Sequence, residues 1–184
     1  MSMIPLDNIQ PDAVLPVFVV DLANLACMEA QASKICVAGC RLYAADLPML
    51  HDIIGIRIPG RSQMIKGRVM ASHGAWIEVS FEFDGEAPME RRDERRRPVK
   101  IPASISDRKW TIMVECTIID ASKKGCKIQG NELGRLPNDI TLRIQGLDLP
   151  VRGKIVWRKD DLAGVELMWQ FSRSPDARSA QYLD

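Results

Sequence analysis

The feature that most constrains this chain is that it repeats itself. Shifting the sequence by 86 residues lays Gly39–Phe83 on Gly125–Trp169 without a gap. Ten of these 45 pairs are identical: Gly39/Gly125, Cys40/Cys126, Leu47/Leu133, Leu50/Leu136, Ile54/Ile140, Arg57/Arg143, Ile58/Ile144, Gly60/Gly146, Gly67/Gly153 and Val79/Val165. At ordinary composition chance matches about one position in sixteen, or roughly three of 45. Lys66/Arg152, Arg68/Lys154, Val69/Ile155 and Phe81/Leu167 keep their character as well. Coincidental strand periodicity does not account for shared glycines in an ungapped register. Whatever this sequence folds into, it builds it twice.

Each copy reads as β-structure. Val17–Val20 is rich in β-formers, and Ile53–Ile58 and Ile65–Met70 flank the turn signal Pro59-Gly60-Arg61-Ser62. After its first two residues, Trp76–Phe83 alternates apolar with polar side chains, the period of a half-buried strand. His73-Gly74 before it predicts a hairpin turn. In the second copy the strand candidates are Ile105, Trp110–Ile119, Cys126–Ile128, Ile140–Ile144, Val151–Trp157 and Leu162–Trp169. Gln145–Asp148 and Lys159–Asp161 fall where turns are needed, and Pro16 falls on Pro102, read as the start of the first strand in each copy. The expected fold is all-β: two tandem six-stranded antiparallel barrels, residues 1–88 and 89–184, joined by the polar segment Asp84–Arg97. A barrel of about 85 residues buries only around 60% of its unfolded surface, so docking of the two would add stability. Trp76, Trp157 and Trp169 on strand faces are expected in a core or an interface.

Bulk properties remove several function classes. Apolar residues make up 46% of the chain, enough for packed cores. A net charge of +1 argues against a general binder of nucleic acid or membrane surfaces. Cys27, Cys36, Cys40, Cys116 and Cys126 form no Cys-x-x-Cys pair, and His51 and His73 are the two histidines, so no zinc site is expected. The cysteines read as buried free thiols in a reducing compartment. Ala13–Val20 is too short to span a bilayer and no basic segment precedes it, so the chain reads as cytoplasmic, without membrane insertion. Nothing suggests catalysis: there is no phosphate loop, no metal cluster, and no nucleophile beside an evident base.

Charge is concentrated locally. Arg91-Arg92-Asp93-Glu94-Arg95-Arg96-Arg97 holds five arginines in seven residues and leads through Pro98-Val99-Lys100 into Ile101-Pro102. Asp120-Ala121-Ser122-Lys123-Lys124-Gly125 follows the largely apolar stretch Ile112–Ile119. The repeat supplies an internal control. Asp120, Ser122 and Gly125 correspond to Lys34, Cys36 and Gly39, while Arg96 and Lys100 correspond to Gln10 and Val14. The first copy keeps the glycine and lacks the polar groups, so the polar groups are not needed to build the fold. They mark a site in the second copy.

An arginine-rich lead into a strand followed by Asp-x-Ser-x-x-Gly resembles the signature of PilZ domains, over roughly residues 91–172. The resemblance implies a split, Greek-key-like barrel that binds cyclic di-GMP, with arginines from the segment before the first strand facing the Asp-x-Ser-x-x-Gly turn. The implied ligand residues are Arg92, Arg95, Arg96, Lys100, Asp120, Ser122 and Gly125, with no further cofactor and no metal. The chemistry suits a guanine dinucleotide. Arginine forks fit phosphate oxygens and the guanine O6/N7 edge, whereas a carboxylate accepts from guanine N1–H and N2–H. Ser122 offers a short donor and acceptor, and Gly125 allows close backbone approach or a positive φ. In the family Arg-x-x-x-Arg directly precedes the first strand. Aligned on Ile101-Pro102 this becomes Arg96-x-x-x-Lys100, and lysine gives a point charge without a fork. Arg91-x-x-x-Arg95 and Arg92-x-x-x-Arg96 have the spacing but lie about four residues early.

The tandem layout resembles the flagellar-brake class of PilZ proteins. The implied function is a cyclic di-GMP receptor that rearranges its two domains on binding and signals to a protein partner. The alternative is a protein–protein adaptor that has lost the nucleotide and whose arginine run docks an acidic partner. Nucleic-acid polymer binding is disfavoured by 5% aromatic residues and near-neutral charge.

Overall fold

The computed structural model describes residues 6, 9–45, 47–83 and 96–172. Twelve strands follow one another among the described residues. They are β1 (Leu15–Asp21), β2 (Cys27–Cys36), β3 (Gly39–Tyr43), β4 (Ile53–Arg57), β5 (Ile65–Ser72) and β6 (Trp76–Glu82). In the second repeat they are β7 (Arg97–Asp107), β8 (Met113–Ser122), β9 (Gly125–Gln129), β10 (Asp139–Ile144), β11 (Val151–Lys159) and β12 (Leu162–Met168). They close into two barrels, in the orders β1-β2-β3-β6-β5-β4 and β10-β11-β12-β9-β8-β7. Each barrel is two three-stranded meanders. The connection between them holds a short 3-10 turn, Leu47–Met49 or Leu133–Arg135, and returns the chain beside the first strand.

The 86-residue offset survives at the level of single elements. β2 and β8, β3 and β9, and β6 and β12 have bounds related by that shift, and so do the bulges at Val69/Ala71 in β5 and Ile155/Trp157 in β11. Alternation puts Ile77, Val79 and Phe81 of β6 inside the first barrel, and Ile140, Leu142 and Ile144 of β10 inside the second. Each such burial contributes about 1.5–3 kcal/mol. The shared glycine at the start of β3 and β9 has a packing cause. A Cβ on Gly125 would sit 2.6 Å from the Val165 carbonyl oxygen, and one on Gly39 would overlap that of Val79. Gly125 is not among the residues with positive φ, which removes one of the two roles expected for it; a side chain is barred there because β12 lies against it.

Several boundaries differ from the sequence reading. β2 and β3 are not among the strand candidates of the first copy; the inward residues of β2, Ala30, Ala32 and Ile35, are interleaved with charged and polar ones. Trp110 is not in a strand. The Asp107 carboxylate accepts from Thr111 N (2.6 Å), Thr111 Oγ1 (2.7 Å) and Ile112 N (2.9 Å), which closes a turn with Trp110 at φ 59° and delays β8 to Met113. These hydrogen bonds hold the Asp107 carboxyl below its ordinary range. Trp169 lies just past β12, its indole N–H donating to the Lys123 carbonyl at 2.8 Å. None of Trp76, Trp157 and Trp169 is buried in a core: Trp76 is half-buried beside His73 and Arg41, and Trp157 is exposed over Gly164. Of the five free cysteines Cys40, Cys116 and Cys126 are buried and Cys27 is half-buried, but Cys36 is exposed, contrary to expectation.

Two compact units result. One takes most of the first repeat together with Phe171, which bridges to Met64 in parallel; Ser172 N donates to the Met64 carbonyl at 2.7 Å. The other takes the second repeat up to Gln170 together with the β1–β2 turn, Val20–Cys27. The expected division between residues 88 and 89 lies outside the described residues.

Candidate functional site

The site is built on the β7–β8–β9 sheet. β7 begins at Arg97, four residues earlier than Ile101, because β8 runs on to Ser122 and offers partners: Arg97 pairs with Ala121 and Pro98 with Asp120. Pro98 has no N–H to give, and pairing slips directly after it. Val99 and Lys100 face the single residue Ile119 before register resumes at Ile101/Ile118. β8 bulges at Ile119 against β9 as well, so that Asp120 faces Lys127. The earlier strand start changes the motif alignment. Arg96 is now the residue directly before the strand, and Arg92-x-x-x-Arg96 has the family spacing at that place. Arg92 and Arg95 themselves lie outside the described residues.

This register brings Arg96, Asp120 and Ser122 to one end of the sheet. Asp120 Oδ1 is buried and has no hydrogen-bond partner among the described residues. An unsatisfied buried carboxylate oxygen is costly, and a donor brought by a ligand would relieve the cost. Ser122 is buried, and its hydroxyl donates to the Gly125 carbonyl at 3.2 Å, which ties the turn and leaves its oxygen able to accept. Burial, followed by Cys116 and Asp120, pushes the Cys126 thiol up to about 12, and Arg96 opposes the rise.

Lys100 stands apart from this trio. It is exposed on β7 and lines a cleft of about 470 Å³ in the second unit. The walls are Val99–Pro102 of β7, the Gln145–Gly146 turn, and Asn24, Ala26 and Cys27 of the β1–β2 turn. Asp120 and Ser122 are not part of these walls. Asn24 Oδ1 accepts from Ala26 N at 2.8 Å, so the amide nitrogen keeps two hydrogens for other acceptors. Asn24 and Gln145 of this cleft are not among the residues singled out from the sequence, and neither is Arg97 at the start of β7. Arg97 was visible as part of the arginine run, but no signal in the sequence links Asn24 or Gln145 to Lys100. Among the described residues no cluster of His, Cys, Asp or Glu could hold a metal, and no helix is long and apolar enough to cross a membrane.

The PilZ domain profile matches residues 90–184, just over half of the chain. The chain belongs to the PilZ domain family. The match starts one residue before the arginine run, so it takes in that run and all of β7–β12; the first barrel lies outside it. No curated protein matches the sequence. Among solved structures the chain is similar to the PlzA protein of Borreliella burgdorferi in complex with c-di-GMP, at 12% identity and TM-score 0.35, covering 84% of this chain and 81% of that one. It is also similar to the Bacillus subtilis inhibitor of motility MotI/DgrA (11% identity, TM-score 0.31, 85% and 88% covered). A third is YcgR of Escherichia coli in complex with c-di-GMP (11% identity, TM-score 0.31, 85% and 76% covered).

Proposed function

We propose that the PilZ barrel is a receptor for cyclic di-GMP, and that binding changes the arrangement of the two barrels and passes the signal to a protein partner. The observation that carries this reading is the β7–β8 register. It sets the end of the arginine run beside Asp120, whose buried oxygen has no described donor. Arg92, Arg95 and Arg96 supply forks for two phosphates and a guanine edge. Asp120 accepts from guanine N1–H and N2–H, and Ser122 adds a short polar contact. Lys100 contributes a cation from the adjoining cleft. Gly125 keeps β9 against β12 and so holds the turn in place. A protein that only binds and releases needs no chemistry at these residues, and none is assigned.

The rearrangement follows from where the arginines lie in the sequence. Arg92 and Arg95 belong to the segment joining the two repeats, so a ligand that engages them together with Asp120 constrains that joint. The shift reaches only as far as the ligand's affinities for the two arrangements differ. Titration calorimetry with cyclic di-GMP, GTP and an oligonucleotide tests the receptor, and solution scattering with and without ligand tests the rearrangement. Saturable one-site binding of cyclic di-GMP alone, with a changed scattering profile, is the expected result. No heat with cyclic di-GMP overturns the receptor and leaves an adaptor. Binding with an unchanged profile overturns the rearrangement.

A further inference from the structure

The internal repeat pairs every surface of one barrel with a counterpart on the other, and one such pair is used only once. In the second unit the β1–β2 turn lies against the Gln145–Gly146 turn and the Val99–Pro102 segment, so closely that a Cβ on Gly146 would stand 3.0 Å from the Cys27 Cβ. Subtracting 86 from that receiving surface gives Ala13–Pro16 and Pro59–Gly60 on the first barrel. Val14 is 59% exposed, Pro16 and Pro59 are exposed, and Gly60 takes φ +83° like Gly146 but has nothing within 4 Å of a Cβ built on it. Adding 86 to the seated turn gives the β7–β8 turn. There Trp110 stands where Asn24 does and Met113 where Cys27 does, 45% and 64% exposed. Among the described residues the first barrel thus presents a vacant copy of the receiving surface, and the second barrel an unseated copy of the turn.

We infer that the β7–β8 turn of one molecule seats on the Ala13–Pro16 and Pro59–Gly60 surface of a second copy of this chain. Both surfaces are apolar where they would meet: Trp110 and Met113 on one, Val14, Pro16 and Pro59 on the other. Charge agrees, since exposed Lys109 directly precedes Trp110 while exposed Asp12 stands two residues before Val14; the neighbouring Arg108 pairs with Asp139 at 3.4 Å within its own barrel. Arg143 lies over the Trp110 ring at 4.5 Å, which presents that ring in a fixed pose. The contact is heterologous: each molecule both gives a turn and receives one, so association builds a closed ring or an open chain.

The test is sedimentation velocity on the full chain over a concentration series. The weight-average mass should rise with concentration past that of one 20.6 kDa chain. Trp110→Glu, which spoils the turn, and Val14→Arg, which spoils the receiving surface, should each give a monomer with unchanged thermal unfolding. Mixing the two variants should restore association and halt it at a one-to-one dimer, because only one intact turn and one intact surface remain. Lys109→Glu should weaken association and Asp12→Lys added to it should recover it. A monomer at every concentration overturns the inference, as does a mixture of the two variants that stays monomeric or grows beyond a dimer.

Discussion

Asp120→Ala should make the free protein more stable while weakening its grip on cyclic di-GMP. In the free state Asp120 Oδ1 is buried without a donor among the described residues, a condition that costs roughly 1–3 kcal/mol. Truncation removes the oxygen and its cost. It also removes the negative charge that faces Lys127 across the sheet, an attraction between partly exposed groups worth a few tenths of a kcal/mol. The net gain is about 1 kcal/mol, which raises the melting temperature of a barrel this size by about 4–8 °C. The ligand meanwhile loses a charge-assisted acceptor worth about 1.5–3 kcal/mol, so affinity falls roughly 10- to 150-fold. Fluorescence-detected melting follows the first effect, with Trp110, Trp157 and Trp169 reporting on the second barrel and Trp76 on the first; calorimetry follows the second. A variant that melts lower and binds as tightly as the parent would refute the reasoning and make Asp120 a turn residue.

Gly125→Ala forces a Cβ toward the Val165 carbonyl and should destabilise the second barrel by about 1–3 kcal/mol, as Gly39→Ala should the first; urea melts resolve the two, and a neutral effect would contradict the packing account. Lys100→Arg should keep or raise affinity because it adds a fork, and Lys100→Ala should lower it about ten-fold; a clear loss in the arginine variant, read by calorimetry, would take Lys100 out of the site. In the native protein one thiol, exposed Cys36, should react promptly with a thiol reagent near neutral pH, against all five after denaturation. Burial pushes the thiols of Cys27, Cys40, Cys116 and Cys126 from 9.0 to about 12, so their contribution to stability is full below pH 9 and is lost as pH rises toward 12; alkaline denaturation curves check this, and a midpoint insensitive to their replacement by alanine would contradict it.

By itself the sequence determined the double barrel. Shared apolar positions and shared glycines at one fixed offset mean that the same inward faces and the same close approaches are needed twice, and Gly39 and Gly125 show the cause in the strand each lies against. It also marked Asp120 and Ser122, since the first copy shows that the barrel folds without a carboxylate or a hydroxyl there. Only the tertiary structure decided where β7 begins, because an arginine-proline pair becomes strand only when β8 extends far enough to meet it. The same is true of Trp110, whose apolar ring reads as strand until the Asp107 carboxylate captures three donors and turns the chain. And no periodicity could join Asn24 and Gln145 to Lys100. Such a cleft is made by segments far apart in the chain, and pattern within a segment records which face it buries, not which distant loop comes to lie across it.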